Sequence, residues 1–318
     1  MRYSYAHLGG IDFGFVRFGG TGLGNLLFPW ARFIVATRKQ GLIPIYPSWF
    51  QIKLGPLMRN EPDKRFYRNL FHPPPDHIFG FKKFRLFNTL KKIGETEFKL
   101  LREMQGVKSD FMVTFEGMTG QFMPILKDHE LVSREFLAMT RDEQKKGLSA
   151  SLHQTIGVHV RRGDFAQLKH TDVLEHGGVN CQIPLSWYIS QIEQLRGAIG
   201  SDVSVNVFSD GMDEELLELL ALKQVKRINF GSSVADLLAL SQSGILVTSG
   251  STFSMWASYL GRMPVIWHAG QLKQRLYYDN QELETETDKN GNLSSGFLGF
   301  FRKGLFYSEA SKPVSVLK

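Results

Sequence analysis

The chain has 318 residues, of which 42% are hydrophobic and 22% charged, which is typical of a globular protein with room for two domains of about 150 residues. No apolar run approaches the ~20 residues of a membrane span, and the N-terminus lacks the pattern of a signal peptide, so we expect a cytoplasmic protein. The single cysteine, Cys181, excludes an internal disulfide, and the nine histidines lack the spacing of a structural metal site.

The net charge of +7 is concentrated in one window. Between Lys53 and Arg102, twelve lysines and arginines face five acidic residues, an excess as large as that of the whole chain. Residues 78–93 interleave phenylalanine with lysine and arginine, which predicts a basic amphipathic helix. We favour a surface helix whose phenylalanines face its own core. The alternatives are a helix that rests on an anionic membrane surface and a groove for a polyanion; no nucleic-acid-binding motif is present.

The first half of the chain opens with a predicted β-α-β unit. An alternating pattern at residues 13–18 predicts a strand, which is followed by a glycine-rich turn at residues 19–25. Helical spacing follows over residues 26–38, and residues 43–46 predict a second strand. The glycines either let backbone amides approach a ligand at the helix N-terminus or permit tight strand–helix packing.

The rest of the first half is less regular. Residues 47–108 contain many aromatics and a triple proline, residues 111–115 predict a strand, and residues 127–147 have a helical period. The small residues after Gly147 predict a domain boundary, so we expect domains at residues 1–150 and 151–318.

The second half alternates strands with helices and therefore predicts a doubly wound parallel sheet. Residues 281–318 give no clear pattern. The predicted strands are 155–160, 203–208, 227–230, 244–248 and 264–267, and the predicted helices are 185–199, 213–222, 233–242 and one that begins near Ser254 and ends at Leu260.

The strand at 155–160 ends in a cluster of charged residues. His159 lies just inside its carboxyl end, and Arg161, Arg162 and Asp164 follow it. Ligands of open α/β sheets bind beyond the carboxyl ends of the strands. Guanidinium groups suit phosphate oxygens, so the favoured ligand is a phosphate or pyrophosphate. The alternative is an ordinary loop in which Arg162 and Asp164 pair with each other or with solvent.

Two further strand ends at the same edge carry polar side chains. Ser209 and Asp210 follow the next strand, and a later strand leads into a serine-rich helix start. Hydroxyls and free N–H groups at a helix N-terminus suit a phosphate, although such residues also act as plain helix caps. The residues of this helix start are Ser249, Ser251, Thr252 and Ser254.

Asp236 is a candidate for reading a nucleotide base. A carboxylate accepts two hydrogen bonds from guanine but not from adenine. The alternative is that Asp236 is simply a charge in the first turn of a helix.

The segment His159-Val-Arg-Arg-Gly-Asp164 closely resembles the HxRRxD signature of the α-1,2-, α-1,6- and protein O-fucosyltransferases, and it is most similar to the α-1,2 group. Four further segments resemble motifs of that family in the same order along the chain. They are Gly22-Leu-Gly-Asn25, Phe208-Ser-Asp210, the run from Asp236 to Ser243, and the run from Val247 to Trp256.

This resemblance implies an α/β fold of the GT-B type, with two Rossmann-like domains facing across a cleft. The N-terminal domain is then the acceptor side and the C-terminal domain the GDP-fucose side. The implied reaction is direct transfer of L-fucose, with inversion and without a metal or cofactor, to a glycan hydroxyl, for which we expect the 2-OH of galactose.

The resemblance also implies roles for individual residues. Arg161 would hold the β-phosphate and stabilise the leaving GDP. Asp164 is our first choice for the base that takes the acceptor proton; Glu116 and a water-mediated route are the alternatives. The implied donor-binding residues are Gly24, Asn25, His159, Arg162, Ser209, Asp210, Asp236, Ser251, Thr252 and Ser254.

Two other functions stay open at this point. One is a glycosyltransferase of the same architecture with a different nucleotide sugar. The other is a non-catalytic binder of polyanions or membrane surfaces that acts through the basic window.

Overall fold

The computed structural model describes residues 1–58, 64–103, 109–167, 172–277 and 279–301. The chain divides into two compact units, Met1–Asp142 and Glu143–Lys318. The division lies eight residues before the boundary at residue 150 that the sequence indicates. Both units are α/β, and each contains a parallel sheet.

The first unit contains a four-stranded parallel sheet in the order β4-β1-β7-β6 and a small sheet in the order β2-β3-β5. A short 3₁₀ helix lies at Met123–Asp128, and another, Asp142–Ser149, begins at the last residue of this unit and continues into the second. Its strands are β1 (Arg2–His7), β2 (Ile11–Asp12), β3 (Arg17–Phe18), β4 (Ile43–Ile45), β5 (Gln51–Ile52), β6 (Lys91–Gly94) and β7 (Phe111–Glu116). Its helices are α1 (Leu23–Gln40), α2 (Leu54–Met58), α3 (Gly80–Thr89), α4 (Glu95–Glu103) and α5 (His129–Met139).

Strand β1 is central to this sheet, and the sequence pattern did not reveal it. The predicted strand at residues 13–18 is wrong, because the chain there makes a hairpin between β2 and β3. The amide of Phe13 donates to the carbonyl of Val16 (3.0 Å) and closes the turn. The strand of the opening β-α-β unit is therefore β1, and the hairpin is inserted before α1.

Helix α1 is nearly all buried over its first fifteen residues, which makes it the central helix of the first unit. It ends at Gly41, whose φ of 63° is the left-handed conformation that glycine adopts without a Cβ clash. The predicted helix at 127–147 is broken in the structure: α5 ends at Met139, where the amide of Thr140 bonds to the carbonyl of Phe136.

Helix α3 differs from our favoured interpretation. Phe87 and Lys83 are buried, but Phe81 is 80% exposed and Phe84 is 41% exposed. The expectation that the phenylalanines of this helix face its own core is therefore correct only for Phe87. Within the described ranges, no helix is both long and apolar enough to span a bilayer.

The second unit contains a six-stranded sheet in the order β10-β9-β8-β11-β12-β13, and every neighbouring pair is parallel. Short 3₁₀ helices lie at Asp213–Leu216 and Gln281–Leu283. Its strands are β8 (Ile156–Val160), β9 (Val205–Ser209), β10 (Val225–Arg227), β11 (Ile245–Val247), β12 (Val265–Trp267) and β13 (Glu284–Glu286). Its helices are α6 (Asp172–Glu175), α7 (Leu185–Ile199), α8 (Leu217–Leu220), α9 (Ser233–Leu240), α10 (Thr252–Gly261) and α11 (Ser295–Gly299).

The predicted doubly wound sheet is thus present. Strands β8 to β12 and helix α7 agree with the sequence pattern to within a few residues, while β13 and α11 lie in the part without a clear pattern. Residues 302–318 lie outside the described residues. The strands β8, β9 and β11 are fully buried apart from Ser209, which makes them the core of this unit.

Candidate functional site

The candidate site lies where the strand order of the second unit reverses. The chain runs from β8 outward through β9 to β10, and then returns to place β11 on the other side of β8. The loops that leave β8 and β11 therefore turn in opposite directions and open a crevice at the carboxyl edge. The residues after β8 and β11 are those that the sequence singled out for phosphate binding.

Arg161 lies directly after β8, between two carboxylates. Its guanidinium forms an ion pair with Asp164, and its Nη1 lies 2.6 Å from Oδ2 of Asp210. The guanidinium carbon also lies 5.4 Å from the centre of the Phe165 ring. The side chain of Arg161 is 18% exposed, so this cation is partly accessible at the crevice. The alternative to a phosphate site paired Asp164 with Arg162; in the structure Asp164 pairs with Arg161 instead.

Arg162 differs from the expectation that both guanidiniums face a ligand. Its side chain is only 8% exposed, and its Nη1 donates to Oε1 of Gln182 (3.1 Å) and to the carbonyl of Ile183 (3.2 Å). Its backbone amide donates to Oδ1 of Asp210 (2.9 Å). Arg162 therefore anchors the loop within the unit, and Arg161 is the arginine that lies at the crevice.

Asp210 and Gly163 fit closely together. A Cβ atom at position 163 would lie 2.1 Å from Oδ2 of Asp210, a distance that real Cβ atoms do not show. Only glycine lets the loop after β8 pass this close to the carboxylate. Asp210 is placed there by strand register, because Val160 of β8 pairs with Ser209 of β9. The hydroxyl of Ser209 accepts a bond from the amide of Gly211 (3.0 Å) and so shapes the same turn.

His159 connects β8 to the loop after β11. Its Nδ1 lies 2.8 Å from Oγ of Ser249 and 3.3 Å from Oγ of Ser251, and its ring stacks on Phe253 with centroids 5.0 Å apart. Burial, together with the nearby charge of Arg161, lowers the pKa of His159 to about 3. The imidazole is therefore neutral at physiological pH and can only donate or accept hydrogen bonds.

The serine-rich segment forms the N-terminus of α10. Ser251 is the N-cap, and its Oγ accepts from the amide of Ser254 (3.4 Å). Ser254 is fully buried, and its hydroxyl lies 2.5 Å from Oγ1 of Thr248, so it supports the turn from inside. Ser251 and Thr252 lie at the positive end of the helix dipole, which suits an anion, and their role toward a phosphate stays a prediction.

Asp236 lies in the first turn of α9, which follows β10 at the same edge of the sheet. Its Oδ1 accepts from the backbone amide of Phe230 (2.6 Å), and the N-cap Ser232 accepts from the amide of Ala235 (3.2 Å). Asp236 therefore stabilises the β10–α9 loop. Its role toward a base stays a prediction.

Three predicted residues belong to the first unit. Gly24 and Asn25 lie in the first turn of α1, where the amide of Asn25 bonds to the carbonyl of the N-cap Gly22 (3.0 Å). Glu116 ends β7, and its Oε1 lies 3.7 Å from Nδ1 of His7. Their roles toward a donor or acceptor stay predictions.

Two features of the site were not foreseen. Gln182 holds the guanidinium of Arg162 and donates from Nε2 to the carbonyl of Phe165 (3.1 Å), and Phe253 supplies the ring under His159. Neither residue type marks a site by itself; the position of Phe253 two residues after the N-cap was the one available signal. Among the residues that the structure describes, no group of three or more His, Cys, Asp or Glu side chains is arranged to hold a metal ion.

Comparison with known protein families identifies the chain. The profile described as "Glycosyl transferase family 11" matches residues 95–289, which is more than half of the chain and includes every site residue of the second unit. The chain belongs to glycosyl transferase family 11. This confirms the fucosyltransferase family that the motifs indicate, and the family-11 chain is therefore a glycosyltransferase. A search of curated proteins gives no match.

Solved structures that match the chain include three fucosyltransferases. NodZ α-1,6-fucosyltransferase co-crystallized with GDP is 12% identical with a TM-score of 0.46, and 83% of the family-11 chain and 94% of NodZ are covered; another NodZ structure is described as from Bradyrhizobium. POFUT1 in complex with GDP is 13% identical with a TM-score of 0.43, over 79% of this chain and 95% of POFUT1. A variant of Arabidopsis thaliana FUT1 in complex with GDP is 13% identical with a TM-score of 0.44. The match covers 80% of the family-11 chain and 70% of FUT1.

Proposed function

We propose that the protein transfers L-fucose from GDP-fucose to a hydroxyl group of a glycan acceptor, with inversion at the anomeric carbon and without a metal ion. Membership of glycosyl transferase family 11 supports the transferase chemistry. The observation that carries the proposal is the position of Arg161, a partly exposed cation at the reversal point of the sheet. The N-terminus of α10 meets the same crevice with Ser251 and Thr252.

In the proposed reaction, the acceptor oxygen attacks the anomeric carbon of fucose while the bond from that carbon to the β-phosphate oxygen breaks. The acceptor proton passes to Asp164, and the bonding electron pair leaves with GDP. Negative charge therefore grows on the diphosphate, and the guanidinium of Arg161 stabilises it in place of a metal. The hydroxyls and amides at the start of α10 bind the same phosphates.

The nucleoside part of the proposal assigns His159 and Asp236. The imidazole of His159 is buried and neutral. It therefore offers the nucleoside a hydrogen bond without placing a second positive charge next to the phosphates. The carboxylate of Asp236 would accept the N–H groups of guanine. The acceptor, which we propose to be the 2-OH of galactose, rests on the resemblance to the α-1,2 group.

Replacing the cation tests the proposal. R161A is expected to lower the rate of transfer from GDP-fucose by about 10²–10³, because the leaving diphosphate loses a preorganised cation. The assay follows labelled GDP-fucose on a panel of galactosides in the presence of EDTA, with linkage analysis of the product. R196A is the matched control, because the guanidinium of Arg196 bonds to loop carbonyls away from the crevice. Full activity in R161A, or activity that EDTA abolishes, would contradict the proposed mechanism.

The choice of donor is tested separately by calorimetric titration with GDP, UDP and ADP. GDP is expected to bind most tightly, and D236N is expected to reduce that preference. Equal affinity for the three nucleotides would contradict the assignment of Asp236 and would favour a different nucleotide sugar.

A further inference from the structure

The first unit exposes a set of large apolar side chains on two elements that are distant in sequence. One element is the β2–β3 hairpin at residues 11–18, and the other is α3 with the residue before it. We call this set the aromatic face. Its members and their exposed fractions are Ile11 (66%), Phe13 (54%), Phe15 (53%), Phe18 (46%), Phe79 (57%), Phe81 (80%) and Phe84 (41%).

Ring contacts join the two elements into one surface. Phe15 of the hairpin stacks on Phe84 of α3, with centroids 5.6 Å apart and planes 14° apart. Phe13 and Phe18 meet edge to face at 5.8 Å within the hairpin. Gly14 lies against α3 so closely that a Cβ there would lie 3.6 Å from Cδ2 of Phe84. The aromatic face is therefore contiguous.

Hydrogen bonds to the interior of the first unit fix the two elements that carry the aromatic face. Asp12 accepts from the amide of Gly14 (2.8 Å) and from the hydroxyl of Tyr5 (2.5 Å), which fixes the hairpin turn. Lys83, on the buried side of α3, donates to Oγ of Ser48 (3.1 Å). The exposed rings are thus presented by fixed backbone, and binding through them loses little conformational freedom.

The segment that forms α3 and β6 is rich in lysine and arginine, and one of its cations, Lys91, pairs with Glu97 of α4 (3.4 Å). Residues 77–94 contain five lysines and arginines and no acidic residue. Lys82 and Arg85 are exposed on α3 itself, and Lys91 and Lys92 are exposed on the neighbouring β6. Asp12, the acidic residue of the hairpin, is occupied by its bonds to Tyr5 and Gly14. A partner that covers this surface must therefore accept both apolar rings and a row of cations.

We propose that the aromatic face docks the protein on the surface of an anionic lipid bilayer. Phenylalanine rings enter the boundary between headgroups and acyl chains, while lysine and arginine meet the anionic headgroups. A second copy of the same face is disfavoured, because it would bring like charges together. This inference is independent of the donor and the acceptor, since none of its residues belongs to the candidate active site.

Vesicle sedimentation tests the docking. The full chain is expected to sediment with vesicles of phosphatidylcholine and phosphatidylglycerol, and much less with phosphatidylcholine alone. The double variant K82A/R85A is expected to lower the affinity by about tenfold or more, because each basic residue near an anionic surface contributes to binding. F81S is expected to lower it by about tenfold through the loss of a buried ring.

Matched controls lie in the second unit. Leu217 is 63% exposed, so L217S removes a similar exposed apolar side chain, and K226A removes one exposed cation from β10. Neither control is expected to change sedimentation. F81W adds a direct reading, since its tryptophan emission, after subtraction of the wild-type spectrum, is expected to shift to the blue on anionic vesicles and to be quenched by brominated lipid.

Three results would overturn the proposal. The first is that the wild-type chain does not sediment with anionic vesicles, or that F81S and K82A/R85A bind them as the controls do. The second is that F81S converts a dimer in solution to a monomer, which would make the aromatic face an interface between copies. The third is that F81S raises the KM for a soluble acceptor, which would assign the face to acceptor binding. Loss of transfer in R161A with unchanged vesicle binding would separate the active-site proposal from this one.

Discussion

At the residue scale, the two carboxylates that flank Arg161, those of Asp164 and Asp210, differ in their exposure and their partners. Asp210 is 25% exposed and accepts a bond from the amide of Arg162, whereas Asp164 is 40% exposed and pairs with Arg161, three residues before it. Under the proposed function, Asp210 positions Arg161 and Asp164 takes the acceptor proton.

D164N tests this assignment. It is expected to lower kcat by about 10²–10⁴, the usual contribution of a general base, while GDP binds at least as tightly as to the wild-type protein, because the charged carboxylate no longer competes for Arg161. The measurements are kcat at saturating substrate and a GDP titration. D202N is the matched control, because Asp202 pairs with Lys223 on the surface and is 73% exposed. If D164N is as active as D202N, Asp164 is not the base, and E116Q becomes the next variant to measure.

At the scale of the element, the loop after β8 is shaped by Gly163. G163A is expected to lower transfer by at least about tenfold and stability by about 1–3 kcal/mol, because its Cβ would displace Asp210 and with it the partner of Arg161. G197A, in the last turn of α7 with no atom within 4 Å of its Cβ, is expected instead to stabilise the protein by up to about 0.5–1 kcal/mol. Thermal unfolding and transfer assays check both; a fully active G163A would show that the loop adapts.

The strands also show which parts of the fold could be predicted from the sequence. Strands β8, β9 and β11 were predictable because they are short segments rich in valine and isoleucine that are followed by polar residues. Strand β13, Glu284–Glu286, was not, because its polar sequence has low strand propensity and the strand exists through pairing with β12. Likewise, the sequence placed Asp210 at a strand end, but its contact with Arg161 and Gly163 depends on the register of β8 against β9, which is a tertiary property.

At the scale of the whole molecule, each unit contains a buried histidine that resists protonation. Burial lowers the pKa of His77 in the first unit to about 4 and that of His159 in the second to about 3. The unfolded chain binds a proton at each of these positions below about pH 6.5, while the folded chain does not until its own lower pKa. Both histidines therefore stabilise the fold above pH 6.5, and this stability is lost as the pH falls toward 3–4.

This linkage predicts how the free energy of unfolding depends on pH. Between pH 7 and pH 5, each buried histidine is expected to lower the free energy of unfolding by about 2 kcal/mol. Denaturant unfolding of the wild-type protein and of H159N at both pH values measures the difference, and H159N is expected to lose less stability over this range. H153N, at an exposed histidine, is the comparison. If the free energy of unfolding depends on pH equally in the wild-type protein and in H159N, the result would contradict a buried neutral imidazole at position 159.

The pairing of Arg161 with Asp164 also bears on the sequence in which the substrates arrive. Because this carboxylate is engaged with the guanidinium, an incoming diphosphate must take its place before the reaction can begin. Under the proposed function, the exchange then releases the carboxylate that takes the acceptor proton. Under the proposed function, steady-state kinetics should therefore be compulsory-ordered, with the nucleotide sugar binding first and the nucleotide leaving last.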